Sequence, residues 1–324
     1  MKQVLPRYPV YVPSKGRYEQ GQTIKVLIKD KCPFYLVVEE SEAEEYGSRF
    51  PEAELLVLPF EGQRLKGARN WIKRHSIEEL GAKRHWQLDD NMRSFRRMVG
   101  YRRIPCRAGI ALRVCEDFTD RYTNIAVSGL NYYCFVMPGR DGKKKPFQIN
   151  SHVYSCSLVN NELPFVWEEI YNDDTDYCLQ VLAGGYCTIL LNAFMCDKMA
   201  TMQVKGGNTE DLYQYDGRLK MARALERKWP YIVKTSRRFN RPQHVVHSAW
   251  MKFDTPLIRR DDLDWEAIEK GGSVEYGMKL KQIRPAKGQR NGEQSLEKFA
   301  SDQGIELARE EREIPNTPRL PKRK

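Results

Sequence analysis

The first 92 residues repeat one unit: a short apolar run, closed by charged or polar residues, then a stretch long enough for a helix. Tyr8-Pro9-Val10-Tyr11-Val12 runs into Pro13-Ser14-Lys15-Gly16-Arg17, and Phe34-Tyr35-Leu36-Val37-Val38 runs into Glu39-Glu40. Leu55-Leu56-Val57-Leu58 is a third run. Gly67 to Glu79 predicts a helix, with Ala68, Ile72 and the Trp71 ring among cationic residues. His85-Trp86-Gln87-Leu88 then ends in Asp89-Asp90-Asn91. Runs this short and this apolar predict an α/β fold: a mostly parallel sheet with helices on both faces. Ligands of such sheets bind beyond the carboxyl ends of the strands. Lys15, Arg17, Glu39, Asp89, Asp90 and Asn91 all fall at ends of that kind.

The middle of the chain has a stronger β signature. Asn124 to Met137 and Phe147 to Val159 predict strands joined by the turn Pro138-Gly139-Arg140-Asp141-Gly142. Asn172-Asp173-Asp174-Thr175-Asp176 precedes a helical stretch, Tyr177 to Ala183, where Asn172 or Asp173 would cap and the acids would suit the dipole. Tyr186 to Ala193 predicts a strand, Gly206-Gly207-Asn208 a loop, Asp216 to Lys228 a helix and His244 to Phe253 a strand. From Gly271 the composition changes: large apolar residues thin out and twelve Lys or Arg face eight Asp or Glu. The expected organisation is a domain over 1–270, with halves at 1–92 and 93–270, and a basic, partly disordered tail over 271–324.

Charge bears on partners. Lys and Arg total 54 and Asp and Glu 43, a formal net charge of +11. That surplus points to nucleic acid, a nucleotide-phosphate ligand or an anionic surface. The eight cysteines include no CxxC pair, so free thiols in a reducing, cytoplasmic setting are expected. The longest charge-free stretch, Tyr177 to Cys196, is interrupted by Gln180, Gly184-Gly185 and Asn192, so no membrane span is expected.

Several reactive motifs are missing. Gly62 to Gly67 has P-loop glycine spacing without the following Lys-Ser/Thr, and no GxGxxG, HExxH or GxSxG is present. What remains is Asp89-Asp90-Asn91, whose hard oxygens suit Mg²⁺ or Mn²⁺ on a diphosphate, and whose residue types also simply favour turns. Pro13-Ser14-Lys15-Gly16-Arg17 offers a close turn and two cations for a phosphate, or an exposed basic loop. Lys66-Gly67-Ala68-Arg69-Asn70 could present Arg69 and Asn70 to the same cleft, or form a solvated helix face. Asp173 and Asp174 could supply a general base, or only a helix cap. His244 and His247 lie three apart, so on a strand at most one of them faces a metal.

In this order the elements resemble a nucleotide-sugar glycosyltransferase of the GT-A fold, and most closely the TET-associated glycosyltransferases of bacteriophages. Val10-Tyr11-Val12-Pro13-Ser14-Lys15-Gly16-Arg17 and Leu88-Asp89-Asp90-Asn91 carry most of that resemblance, which covers residues 8 to 260. It implies a Rossmann-type sheet with an added β-rich acceptor region, and sugar transfer to hydroxymethylated pyrimidines in DNA. The donor, a UDP-sugar by first expectation, would meet Pro13, Ser14, Lys15, Arg17, Glu39, Arg69, Asn70 and Asp89. Mn²⁺ or Mg²⁺ would be held by Asp89, Asp90 and Asn91, completed by His244 or His247. Asp174, or else Asp173, would be the base. Asn91 stands where the family's metal motif ends in an acid.

DNA contacts are expected from Arg93, Arg96, Arg97, Arg102 and Arg103 with Phe95 and Tyr101 among them, from Lys143, Lys144 and Lys145, and from Arg237 and Arg238. Two other readings stay open: a glycan, lipid or protein acceptor, and a non-catalytic nucleic-acid-binding module on a degenerate transferase fold. A sugar nucleotidyltransferase is weakened by the lack of a Gly-rich loop after the first strand.

Overall fold

The structure, a computed structural model, describes residues 3–99, 102–136, 145–169, 171–199, 217–238, 241–246, 250 and 252–270. The four apolar runs become β1 (Val10–Pro13), β2 (Tyr35–Val38), β3 (Glu54–Val57) and β4 (Arg84–Leu88). Between them lie α1 (Gln22–Lys29), α2 (Ala43–Arg49) and α3 (Arg64–Glu78). The strands pair in the order β3-β2-β1-β4, all parallel. The pleat explains why the runs are apolar at every position. Val10 and Val12 enter one core with Ile24 and Leu27 of α1, while Tyr11 between them enters another with Ala68 and Ile72 of α3.

The chain continues through β5 (Met92–Val99), β6 (Arg102–Cys106), α4 (Ala108–Thr119), β7 (Ile125–Tyr132), β8 (Phe147–Ile149) and β9 (Cys156–Asn160). Then come α5 (Asp173–Ala183), β10 (Cys187–Lys198), α6 (Gly217–Lys228), β11 (Lys234–Arg238), β12 (Arg241–Val245) and α7 (Trp265–Lys270). The large sheet runs β3-β2-β1-β4-β9-β7-β10-β5-β6, with β8 on β10. Seven of its ten strands, β1 to β4 with β6, β7 and β10, point the same way, and β5, β8 and β9 point against them. The expected two halves therefore share one continuous sheet, joined where β4 pairs with β9. Ala108, Ala111, Leu112 and Cys115 of α4 pack in the core used by α1, and Tyr177, Val181 and Leu182 of α5 pack against Val127 and Val159. Helices thus cover both faces. Gly129 is required where β7 passes β9, because a Cβ there would lie 2.2 Å from the Cys156 carbonyl oxygen.

Several boundaries differ from expectation. Phe147 to Val159 is two strands, broken by Asn150 and Ser155 in left-handed conformations (φ 53° and 56°). Only β9 returns to β7, while β8 pairs with β10, so no simple hairpin forms. β10 continues past Ala193 to Lys198, because Asn192 and Ala193 are absorbed by a bulge rather than ending the strand: the register to β7 slips between Leu191 and Met195. The strand expected from His244 to Phe253 ends at Val245, and Trp250 is helical. α5 starts at Asp173, so the acids are its first turn. Asn172 gives it no cap bond, since its amide donates to the Met221 carbonyl instead. The turn 138–142, the loop 206–208 and the segment 271–324 lie outside the described residues.

Candidate active site

The parallel strands end at one edge, and the residues following β1, β2 and β4 meet there. The turn after β4 is fixed by the first turn of α1. Thr23 Oγ1 donates to the Asp89 carbonyl at 2.6 Å and accepts from the Met92 N–H at 2.8 Å, and the Thr23 N–H donates to the Asp90 carbonyl at 3.1 Å. Asp90 faces the β1 loop. It accepts from Ser14 Oγ at 2.7 Å and pairs with the Arg17 guanidinium. Tyr46 of α2 supports that loop, with its hydroxyl 2.7 Å from Ser14 Oγ and accepting from the Arg17 N–H at 3.0 Å. Burial pushes the Asp90 carboxyl up from its usual value, against the pull of Arg17 and Ser14. Lys15 pairs with Glu39 at 2.5 Å, and the Gly62 N–H donates to the other Glu39 oxygen at 3.0 Å. Pro13 ends β1 itself.

Asp89 faces the other way. Its Oδ2 accepts from Lys198 Nζ at 2.6 Å and from Ser155 Oγ at 2.7 Å, and its Oδ1 lies 3.6 Å from Arg69. Burial works to raise its pKa, but Lys198 and Arg69 outweigh burial and hold it below the usual value. Arg69, on the buried face of α3, also reaches Asp173, with Nε 2.9 Å from Oδ2 in a poorly aligned contact. One guanidinium therefore ties the end of β4 to the start of α5.

The acidic turn of α5 divides by role. Asp176 is fully buried and held by Lys228 of α6, Trp229 and Gln180, each at 2.8 Å, so it joins helices. Asp173 and Asp174 instead face Arg69 and His152. Burial pushes the Asp173 carboxyl up to about 6, Arg69 opposing and Asp174 adding to the rise. Asp174 would also be raised by burial, yet His152 at 3.3 Å, Arg69 and the Thr175 N–H together outweigh it and hold the carboxyl well below the usual range. The His152 ring stacks on Trp250 with centroids 6.0 Å apart and meets the edge of Tyr154 at 4.9 Å. Phe135, 60% exposed, extends the same aromatic cluster through Tyr132 and Tyr154.

Asn70 does not reach this cluster with a free amide. It donates to the Trp167 carbonyl at 2.8 Å and accepts from the Trp167 N–H at 2.9 Å, clamping the segment whose indole stacks on Tyr177 of α5. Beside it a cavity of about 450 Å³ is lined by Phe60, Gly62, Arg64, Lys66, Trp71 and Arg74.

The aspartates as placed do not fit a divalent ion. Both Asp89 and Asp90 face cations, and Asn91 Oδ1, buried and unpartnered, is neutral. Among the described residues no three His, Cys, Asp or Glu side chains group to hold a metal. His244 sits on β12 opposite Thr235, where it feels the charges of Asp174 and His152 rather than those of the β4 turn. His247 lies outside the described residues.

Among the basic candidates, Arg93, Arg96, Arg97, Arg102 and Arg103 form the β5–β6 hairpin. Arg93 pairs with Asp197 at 3.0 Å while half exposed. Arg96 and Arg103 place their guanidinium carbons 4.7 and 3.9 Å from the Tyr133 ring centre, and Arg103 donates to the Tyr133 carbonyl at 2.7 Å. Phe95, expected to stack on bases, is instead 1% exposed, because it faces the core that α1 and α4 share. Arg237 and Arg238 lie on the separate β11–β12 ribbon. Lys145 precedes β8, and Lys143, Lys144 and Tyr101 lie outside the described residues.

Four residues of the cluster have no motif of their own: Lys198, Ser155, Tyr132 and His152. Lys198 could have been found by the criterion used for β1, β2 and β4, a charge closing an apolar run, had the strand been extended to Phe194-Met195-Cys196-Asp197.

A family model described as TET-Associated Glycosyltransferase matches residues 8–207. No curated protein matches the chain. Among solved structures, a mannose-1-phosphate geranyltransferase from Thermus thermophilus is 13% identical, covering 78% of this chain and 68% of its own. Its TM-score is 0.27, too low to bear on the fold. No helix among the described residues is long and apolar enough to cross a membrane.

Proposed function

The chain belongs to the TET-associated glycosyltransferase family, and from that premise we propose that it transfers a sugar from a nucleotide-sugar donor to a hydroxymethylated pyrimidine in DNA. The observation that carries the transfer reading is Arg69, set between Asp89 at 3.6 Å and Asp173 at 2.9 Å. It brings the end of β4 and a pair of carboxylates together, which supports a two-substrate displacement.

In this reading the donor lies along the ends of β1, β2 and β4. Lys15 and Arg17 face its diphosphate, Glu39 and Asp89 its ribose and sugar, and the Phe60 and Trp71 cavity lies on the nucleoside side. The acceptor enters over α5. As its hydroxymethyl oxygen bonds to the anomeric carbon, its proton passes to Asp174 or Asp173, and the bond from that carbon to the diphosphate breaks. The nucleoside diphosphate leaves with the electron pair. A base on the acceptor side favours inversion at the anomeric carbon. The target base must leave the DNA stack to reach the carboxylates. His152, Trp250, Tyr154 and exposed Phe135 supply ring faces at that side, and exposed Arg102, Arg107, Lys234, Arg237 and Arg241 supply cations for the backbone.

The test is incubation with a panel of nucleotide sugars and DNA with or without hydroxymethylcytosine, in EDTA and in Mn²⁺, read by mass spectrometry of the nucleosides. A hexose or pentose mass added only to the hydroxymethylated base supports the reading. Transfer to glycan or protein alone replaces the acceptor, and DNA binding with no transfer from any donor makes the chain a binding module.

A further inference from the structure

We propose that Lys198 is the resident cation of the donor site, standing at Asp89 where a divalent ion would stand, so that the chain binds a nucleoside diphosphate without metal. This rests on the donor reading above.

The placement of Lys198 is built by the fold. It is the last residue of β10, beside Met92, and the register to β5 slips between Asp197 and Lys198. A bulge of that kind re-aims side chains. Asp197, one residue earlier, turns to Arg93 on the hairpin, while Lys198 turns back over the β4 turn. The Met199 N–H donates to the Asn91 carbonyl at 3.2 Å, which fixes the strand end against that turn.

The ammonium is enclosed by partners that match its donors. It reaches Asp89 Oδ2 at 2.6 Å, Ser155 Oγ at 2.8 Å and the Tyr132 hydroxyl at 3.3 Å, and its side chain is 14% exposed. The Tyr132 hydroxyl also contacts Ser155 Oγ, so these four groups form one network. An ammonium has three protons, and the one toward Tyr132 is the most weakly held. A phosphate oxygen entering from the cleft can take it without breaking the Asp89 pair. Ser155 is fixed in place by its backbone. Its φ of 56° aims the Oγ at Asp89 while its carbonyl accepts the Asp89 N–H at 2.7 Å.

A divalent ion at Asp89 meets this arrangement as a competitor. One carboxylate oxygen is held by Lys198 and the other faces Arg69 at 3.6 Å. An ion at either would stand against a fixed positive charge in a partly buried place, where repulsion is stronger than in open water. Arg17 closes Asp90 in the same way. Cations supplied by the chain at Asp89 and Asp90 can do the electrostatic work on a diphosphate that an ion does elsewhere.

The test uses the full chain in two parts. Mn²⁺ alone is titrated and followed by electron paramagnetic resonance. Then UDP, GDP, ADP, CDP and pyrophosphate are titrated calorimetrically in EDTA and in Mn²⁺. The inference expects no tight Mn²⁺ site, and a diphosphate affinity that agrees within about twofold in the two buffers. Lys198→Met should weaken that affinity by at least about tenfold, and Lys198→Arg should restore part of it. Near-ultraviolet circular dichroism shows whether each variant is folded, and Asp89→Asn/Lys198→Met, which removes both charges, serves if the single variant is not. A tight Mn²⁺ site, or diphosphate binding that needs Mn²⁺, overturns this inference and leaves the donor reading standing. Unchanged diphosphate affinity in a folded Lys198 variant also overturns it. No diphosphate binding in either buffer overturns the donor reading and this inference together.

Discussion

Two acidic pairs, of which only Asp90 is buried, face each other across Arg69, and they are held differently. In the β4 pair, both aspartates are clamped by cations from distant segments: Asp89 by Lys198, Asp90 by Arg17. In the α5 pair, Asp173 has a misaligned contact to Arg69 and a hydrogen bond from the Asp174 backbone, and Asp174 faces the imidazole of His152. In each pair one carboxyl is pushed up by burial and one is held down by a neighbour. The difference is in the neighbour. Lysine and arginine keep their charge throughout the physiological range, so the β4 pair is a fixed electrostatic frame, while a histidine partner leaves the α5 pair able to exchange protons.

Removing the link should have the largest effect. Arg69→Met leaves the part-buried Asp89, Asp173 and Asp174 around a lost charge. Breaking a fully buried ion pair from one side costs about 3–5 kcal/mol and a solvent-screened one less, so a clear drop in the thermal midpoint is expected together with loss of transfer. A midpoint unchanged by this substitution would mean that the two pairs do not share Arg69 in solution.

Next in size is the base. Asp174→Asn and Asp173→Asn are expected to lower kcat by about 10²–10⁴-fold if the substituted group takes the proton, measured with the donor and acceptor identified by mass spectrometry. Stability separates the two residues. A carboxyl raised to about 6 when folded favours the protonated form, so Asp173 costs stability as pH rises from the unfolded value toward 6. Asp173→Asn removes that loss and should make the protein more stable than wild type above pH 6. Asp174 has a lowered pKa, so its stabilisation is present above the unfolded value and disappears as pH falls below it. Asp174→Asn should destabilise at neutral pH. Denaturant melts at pH 4 and pH 7.5 read both signs, and equal shifts for the two variants would erase the distinction between them.

The same contrast explains what the sequence made legible. Ser14 to Arg17, Glu39 and Asp89 to Asn91 follow buried strands that pair in parallel with one another within the first 92 residues, so apolar runs and their charged ends mark the site directly. Asp173 and Asp174 were visible as a run of acids, though their helix began earlier than its apolar residues suggest. Lys198 and Ser155 reach Asp89 across 109 and 66 residues, through a bulge and a left-handed residue that no local pattern announces. His152 stands alone between the two halves of what reads as one apolar strand. Side-chain commitment was equally hidden: Asn70 and Phe95 sit in the expected segments but turn to Trp167 and to the core.

A smaller effect belongs to the partner of Asp174. His152→Asn keeps a polar neighbour but removes the charge that holds Asp174 down, so the Asp174 carboxyl should rise. In a pH–rate profile the acidic limb should move to higher pH, with kcat on the plateau reduced by no more than about tenfold, the range of a positioning residue acting through a hydrogen bond to a charged group. Lys198→Arg, which keeps the charge of the β4 pair, should leave that limb in place. If both variants shift the limb equally, the two acidic pairs titrate as one unit, and the division between a fixed frame and a proton-exchanging pair fails.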